Sequence, residues 1–288
     1  MSNEVNNLSK LRKKPHWSYS RINSLLSHCS LQWAFKYVYK AYPSFTPVNL
    51  VFGKAFHSTL TFVYNRLMNE QPLDDNEPIN LFSELFSDEC SHAEPEVKFG
   101  GNDSLDSLIQ KGQQMIEVFT ANIDPEEKIL GVAVPFSVNL TDANGERVKE
   151  PLIGEFDCLV EKNGKPVIVD WKTAARRWPE RKADFDLQPT CYLFARCLDT
   201  GVNDAEFRFD VVTKTKTPAF QSCSTDRNYA DFVRLGETVR AMERRIESEA
   251  FYPDQQGFDC RNCPYTDECR SWHLERVHKR PVITAVAA

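Results

Sequence analysis

The sequence predicts an α/β fold built as one main domain, on three observations. Apolar residues recur at helical spacing up to residue 120, strand-like alternation sets in from Val132, and helix, strand and helix follow in turn after residue 184. Trp17 to Tyr39 reads as one helix with Ser18 or Ser20 as its N-cap, because Ile22, Leu25, Leu26 and Cys29 fall on one face. A second helix begins near Gly53 and carries Phe56, Leu60, Val63 and Leu67. Residues 72–106 hold ten acidic side chains against the single base Lys98 and are punctuated by Pro72, Pro78 and Pro95, so an exposed insertion with short helices is expected. Ser104 caps a third helix with Leu105, Leu108, Ile109, Gly112, Ile116 and Phe119 at helical spacing. Beyond Val132, turn signals at Asn144-Gly145 and Asn163-Gly164 divide the alternating pattern into three antiparallel strands. A helix over about Phe185 to Leu198, a strand over about Glu206 to Thr213 and a long helix over about Asp226 to Glu249 complete the order.

With 288 residues, 41% hydrophobic and 26% charged, the chain has an ordinary globular composition and can bury a sizeable core. It holds no run of the roughly 18 apolar residues that a membrane span requires, and Met1 to Lys14 carry charges with no apolar stretch after them. The expectation is a cytoplasmic protein with no membrane partner. A net charge of −6 excludes nucleic-acid binding through bulk basicity, so any such surface has to be local. One candidate runs from Lys172 through Arg176, Arg177 and Arg181 to Lys182, opposed by Glu180 alone; a solvated loop is the plainer reading of such a run.

Nine cysteines in a reducing compartment point to buried thiols and metal ligands rather than disulfides. Cys90, Cys158, Cys191, Cys197 and Cys223 are scattered among helical and strand-like patterns and read as small apolar packing residues. Cys260, Cys263 and Cys269 cluster in a tail where nothing else suggests core. Three thiolates within ten residues suit a soft metal site, which normally needs a fourth ligand. His273 and His278 lie nearby as spare ligands, with surface roles the favoured reading.

The most informative segment is Gly154 to Asp157, continuing through Asn163-Gly164 to Asp170, Trp171 and Lys172. If Asn163-Gly164 is a two-residue type I′ loop, paired positions sum to 327, and so do Asp157 and Asp170. The two aspartates would then stand opposite each other, with Cβ atoms roughly 4.5 to 5.5 Å apart. Alternation puts Lys172 on their face, opposite Glu155, while Phe156, Cys158, Val160, Val167, Val169 and Trp171 form the apolar face. Facing carboxylates repel, and a divalent Mg2+ or Mn2+ relieves that repulsion while binding a substrate phosphate. Lys172 could orient or deprotonate an attacking water, or stabilise charge on the phosphorane. A solvated surface hairpin is the competing reading of the aspartates and lysine.

At these residues the chain resembles the RecB-like branch of the PD-(D/E)XK nuclease superfamily, over Ser18 to Trp272 and five motifs in the family's order. Gly53 to His57 matches Gly-x-x-x-His, Gly154 to Asp157 matches Gly-x-x-Asp, Asp170 to Thr173 matches Asp-x-Lys-Thr, Gln188 to Tyr192 matches Gln-x-x-x-Tyr, and the cysteines supply the fifth. The resemblance implies a restriction-endonuclease-like core, a central mixed sheet flanked by helices, with a helical N-terminal region and a C-terminal iron–sulfur tail. Its expected divisions are a helical region over 1–128 that supplies Cys29 and His57, a nuclease core over 129–250, and a cysteine tail over 251–288 packed on the N-terminal region.

By position, the resemblance makes Asp157, Asp170 and Lys172 catalytic. It gives His57, Asp157, Asp170 and the backbone carbonyl of Trp171 to the metal. It makes Gln188 and Tyr192, an i, i+4 pair, DNA contacts, joined by Arg176 and Arg177 of the basic run. Relatives often carry a glutamate on the preceding strand, but Gly131 to Leu140 contains no acid, and Glu126 and Glu127 lie just upstream. The resemblance also supplies the fourth cysteine, Cys29, and a [4Fe-4S] cluster as occupant, with Zn2+ the alternative. The implied function is a metal-dependent DNA exonuclease acting on single strands or free ends in repair, recombination, phage DNA processing or CRISPR adaptation, with a protein partner from such a pathway. The alternatives are a catalytically inactive DNA-binding or scaffold protein that keeps the fold with a structural zinc, and a zinc-stabilised interaction protein.

Overall fold

The computed structural model describes residues 8–203, 205–254 and 258–279. A short helix α1 (Leu8–Leu11) precedes α2 (Tyr19–Ser27) and α3 (Ser30–Tyr37). A two-residue strand β1 (Thr46–Pro47) leads into α4 (Val48–Met68), and α5 (Asn76–Ser91), a two-residue β2 (Val97–Lys98) and α6 (Leu105–Thr120) follow. The sheet comes from β3 (Lys128–Val138), β4 (Leu152–Lys162) and β5 (Lys165–Ala174), then β6 (Glu206–Thr213) and β7 (Phe220–Thr225) after the helices α7 (Lys182–Phe185) and α8 (Leu187–Thr200). A long α9 (Tyr229–Glu247) and the tail helix α10 (Thr266–Lys279) complete the chain.

The five strands lie in the order β3-β4-β5-β6-β7. The β5–β6 pair is parallel and the other three are antiparallel, so the sheet is mixed and the fold is α/β. The crossover from β5 to β6 runs through α8, as a parallel pair requires. Both faces are covered. Phe52, Phe56, Phe82, Phe86 and Phe119 of α4, α5 and α6 pack on Cys158, Val160, Val167, Val169 and Trp171. Ile22, Leu31, Leu193, Leu235 and Val239 of the other helices pack with Phe136, Leu159, Ile168 and Phe207 on the opposite face.

Three expectations need correction. Trp17 to Tyr39 is not one helix: Trp17 is extended and exchanges backbone hydrogen bonds of 2.8 Å with Pro151 and Ile153, and Ser18 then caps α2. His28 and Cys29 take non-helical dihedrals between α2 and α3. The acidic stretch is not merely an exposed insertion, because α5 buries Phe82 and Phe86 completely against Phe52. Its acids occupy the outer side of an amphipathic helix. Finally, β7 was not foreseen: its polar, alternating Phe220 to Thr225 extends the sheet as an edge strand.

The tail lies on the N-terminal helices. Tyr265 packs on Phe35 with ring centroids 5.9 Å apart, Ser44 N–H donates to Pro264 O at 2.8 Å, and the Ser30 hydroxyl donates to Tyr252 O at 3.0 Å. Among the described residues no helix is long and apolar enough to cross a membrane.

Candidate active site

The β4–β5 hairpin has the register that its turn demands. Asn163 and Gly164 take φ of +52° and +75°, as a type I′ turn needs, and pairing runs from Lys162↔Lys165 to Cys158↔Val169, every pair summing to 327. The ladder ends where Asp157 and Asp170 would continue it, because the Trp171 N–H donates 2.9 Å to Asp157 Oδ2 instead of to the facing strand. Level with Asp157 on β3 stands Ala133, at φ +51°. There the strands switch faces: Cys158 packs beneath α4, whereas Phe156 packs against Phe136 at 4.9 Å and Tyr192 at 5.5 Å on the other side. Phe156 therefore does not share a face with Cys158 as alternation implied. Nor does the charged end open on a bare face; it lies where the splayed strands meet α4 and α8. No acid enters from β3, since Ala133 takes that place and Glu127 is bound to Lys162 at 3.0 Å and to Arg208.

His57 reaches this point from α4. Its Nε2 lies 3.1 Å from Asp157 Oδ2, while Nδ1 donates to Gly53 O at 2.9 Å, which fixes the ring. Glycine inside a helix costs about 1 kcal/mol relative to alanine. A Cβ on Gly53 would meet nothing within 4 Å, so the helix surface beside His57 is left bare. Burial alone would lower the His57 pKa, but the Asp157 carboxylate outweighs it and pushes the imidazole up to about 9. Burial likewise opposes Asp157 ionisation, yet His57, Lys172 and the Trp171 N–H hold this carboxyl below its usual range.

Asp170 is almost fully buried, and its two oxygens are held differently: Gln188 Nε2 donates to Oδ1, and the Lys172 ammonium lies beside Oδ2. Burial pushes Asp170 up to about 6, with Lys172 pulling down and Asp157 pushing further up. Lys172 is itself raised: burial disfavours its charge, but Asp170 and Asp157 more than offset that. The ammonium form is thus the stable one, which suits stabilisation of a developing anion better than removal of a proton from water. Trp171 is buried and packs against Tyr64, ring centroids 4.9 Å apart and planes tilted by 34°. Glu155, half-buried and raised by burial and then by the Asp157 charge, is a third carboxylate nearby.

The structure thus brings His57, Asp157, Asp170, Trp171, Lys172 and Gln188 together. It does not leave Gln188 and Tyr192 on a DNA-facing surface. Gln188 is 3% exposed and its amide holds Asp170, while Tyr192 is 9% exposed and packs among Phe136, Phe156 and Phe207. Arg176 and Arg177 are exposed in the loop after β5. Two further residues had no signal in the sequence. Asp186 caps α8 by accepting the Gln188 N–H at 3.0 Å, and Tyr19 of α2 donates to the same Oδ1 at 2.9 Å.

A second cluster lies under the tail. Cys29, Cys260, Cys263 and Cys269 line one cavity of about 180 Å³ together with Phe35 and His273. His273 therefore faces that cavity and not simply solvent; the side chain of His278 lies outside the described residues. Burial raises the Cys263 and Cys269 thiols, and the neighbouring cysteines raise them further. The other five cysteines are buried or half-buried, as packing residues should be. Among the described residues, no three His, Cys, Asp or Glu side chains stand in metal-holding geometry at either place.

A crystal structure of a protein from Eubacterium rectale, named as a candidate exonuclease, aligns over 100% of this chain and 99% of its own at 17% identity, with a TM-score of 0.55. That similarity is one of fold. The solved structure of SSO0001 covers 92% of this chain and 96% of its own at 12% identity, with a TM-score of 0.35. No curated protein matches the sequence. The model of the PD-(D/E)XK nuclease superfamily matches residues 16–270, which include His57, the hairpin, α8 and all four tail-site cysteines. On that match over most of its length, the chain belongs to the PD-(D/E)XK nuclease superfamily.

Proposed function

We propose that this chain is a RecB-like, metal-dependent exonuclease that hydrolyses phosphodiester bonds in DNA, taking single strands or free ends, and serves repair, recombination, phage DNA processing or CRISPR adaptation with a protein partner from that pathway. The observation that carries the reading is the meeting of His57, Asp157, Asp170 and Lys172 where the ladder of the β4–β5 hairpin stops. The donor set fits a hard divalent ion. Asp170 is buried, its Oδ2 lies against the Lys172 ammonium, and the nearby Asp157 charge raises the cost of ionising it. His57, Asp157, Asp170 and the Trp171 carbonyl would hold Mg2+ or Mn2+, which when bound neutralises charge on the scissile phosphate. The chain's own residues do the rest. Lys172 supplies a fixed positive charge to the phosphate oxygens as negative charge builds on them. Gln188 keeps Asp170 in place, and the Gly53 carbonyl orients His57.

Four thiols around one cavity are the donor set of a soft metal, and we assign Cys29, Cys260, Cys263 and Cys269 to a [4Fe-4S] cluster with a structural role; Zn2+ suits the same donors. We take its site of action to be cytoplasmic, a reducing setting in which nine cysteines suit thiol and metal-ligand roles. A non-catalytic DNA-binding protein with structural zinc is the second reading, and Ala133 in place of a third acid on β3 is what favours it.

Mg2+- or Mn2+-dependent degradation of end-labelled and circular DNA separates the two. Asp170→Ala and Lys172→Ala are each expected to slow cleavage at least about 100-fold, and circular DNA should persist. A native protein that cuts no better than these variants would sink the enzymatic reading.

A further inference from the structure

Between the end of α2 and the entry to α8 runs a groove of about 510 Å³, with Leu26, Arg181, Lys182, Phe185, Asp186 and Leu187 in its walls. Phe185 is 80% exposed and Leu26 is 52% exposed, so two large apolar side chains face water in one depression. A lone exposed apolar residue is ordinary, but this aromatic ring has the Arg181 guanidinium 5.2 Å from its centroid. Arg181 takes a left-handed φ of +64° just before α7. The other aromatic of the loop behaves differently. Trp178 folds inward onto Phe209 at 5.0 Å, with Lys182 4.7 Å from its ring, and so anchors the segment from which Phe185 projects.

The segment is slightly basic: it carries Arg176, Arg177, Arg181 and Lys182 against Glu180, Asp184 and Asp186. Asp184 is bound to Arg181 at 3.1 Å and to Thr225, while Asp186 is bound to Lys182 at 3.1 Å and to Tyr19. Arg176 and Arg177 stay exposed in the same loop. Two hydrogen bonds through Gln188 link the groove to the chemistry. Asp186, in its wall, caps α8 through the Gln188 N–H, and the Gln188 amide holds Asp170.

We propose that this groove is a base-stacking subsite for single-stranded DNA entering the active site. The open face of the Phe185 ring takes one unpaired base, and Arg176, Arg177 and Arg181 meet the flanking phosphates. The inference rests on the nuclease reading and adds to it the state of the substrate at this point. A base offers its π-face to a protein ring only when it is out of the duplex stack, whereas a basic surface alone would not distinguish one strand from two.

The test is equilibrium binding of the full chain to labelled oligonucleotides in EDTA, followed by fluorescence anisotropy. The probes are a dT single strand, a duplex of equal length and an abasic strand of equal length. Phe185→Ala is expected to weaken dT binding about tenfold and to leave duplex and abasic binding unchanged. Phe185→Trp is expected to keep native affinity for dT. Native affinity of Phe185→Ala for dT would overturn the proposal, and so would an equal loss on all three probes. Since EDTA stops hydrolysis, the two readings fail separately. The expected binding pattern without Asp170-dependent cleavage keeps the subsite and removes the enzyme; cleavage with unchanged Phe185→Ala binding removes the subsite alone.

Discussion

At Asp157 one oxygen accepts both the Trp171 N–H and the His57 ring, and a proton is what joins the ring to it. The imidazole is raised to about 9 in the folded chain, against roughly 6.5 when unfolded. Without a divalent ion, the contribution of His57 to stability is therefore complete below about 6.5 and is lost as pH rises through about 9. Asp157 is shifted the opposite way, so its share is lost as pH falls through its lowered value. An ion binding to His57 and Asp157 has to displace the imidazole proton. Mn2+ binding measured by calorimetry is expected to tighten as pH rises from about 7 to about 9. An affinity flat across that range would mean that His57 is not a ligand.

At the scale of elements, close approaches decide what the helices tolerate. A Cβ on Gly236 of α9 would stand 1.8 Å from the Thr141 carbonyl oxygen, and one on Gly112 of α6 would stand 1.9 Å from the Phe82 ring. Backbone cannot turn aside as a ring can. Gly236→Ala is thus expected to cost about 3 kcal/mol and Gly112→Ala about 1 to 2 kcal/mol, read from urea midpoints; equal losses would argue against the distinction. The legible parts of the fold were those set by local pattern. The 163–164 turn alone fixes the register down to Cys158↔Val169, which is why Asp157, Asp170 and Lys172 could be named from spacing. Elements settled by distant partners were not legible. Composition hid the burial of α5, though not a helix there, because its acids outnumber Phe82 and Phe86, and β7 is held mainly by its pairing with β6. The α2–α3 break at Cys29 is fixed by contacts with Tyr252 and Asp254, far along the chain. Gln188 was recognised by motif, but its partner Asp170 became visible only once α8 lay against β5.

Over the whole molecule, the tail and the N-terminal helices share the four-cysteine cavity, joining chain segments 231 residues apart between Cys29 and Cys260. Protein purified without oxygen is expected to be brown, and Cys263→Ala to lose the colour and melt at lower temperature. A colourless native protein carrying zinc would replace the cluster, and one carrying neither metal would refute a metal site there. The kinked α2–α3 pair gives this arrangement a mechanical side. Cys29 stands at the kink, just past the end of α2, and Tyr19 at the start of that helix, ten residues earlier, reaches the Asp186 carboxylate that fixes the start of α8. If the four cysteines hold a metal as proposed, loosening them should travel along a stiff, short lever to the helix that steadies Asp170, and slow the cutting of DNA without any change at the point of cutting.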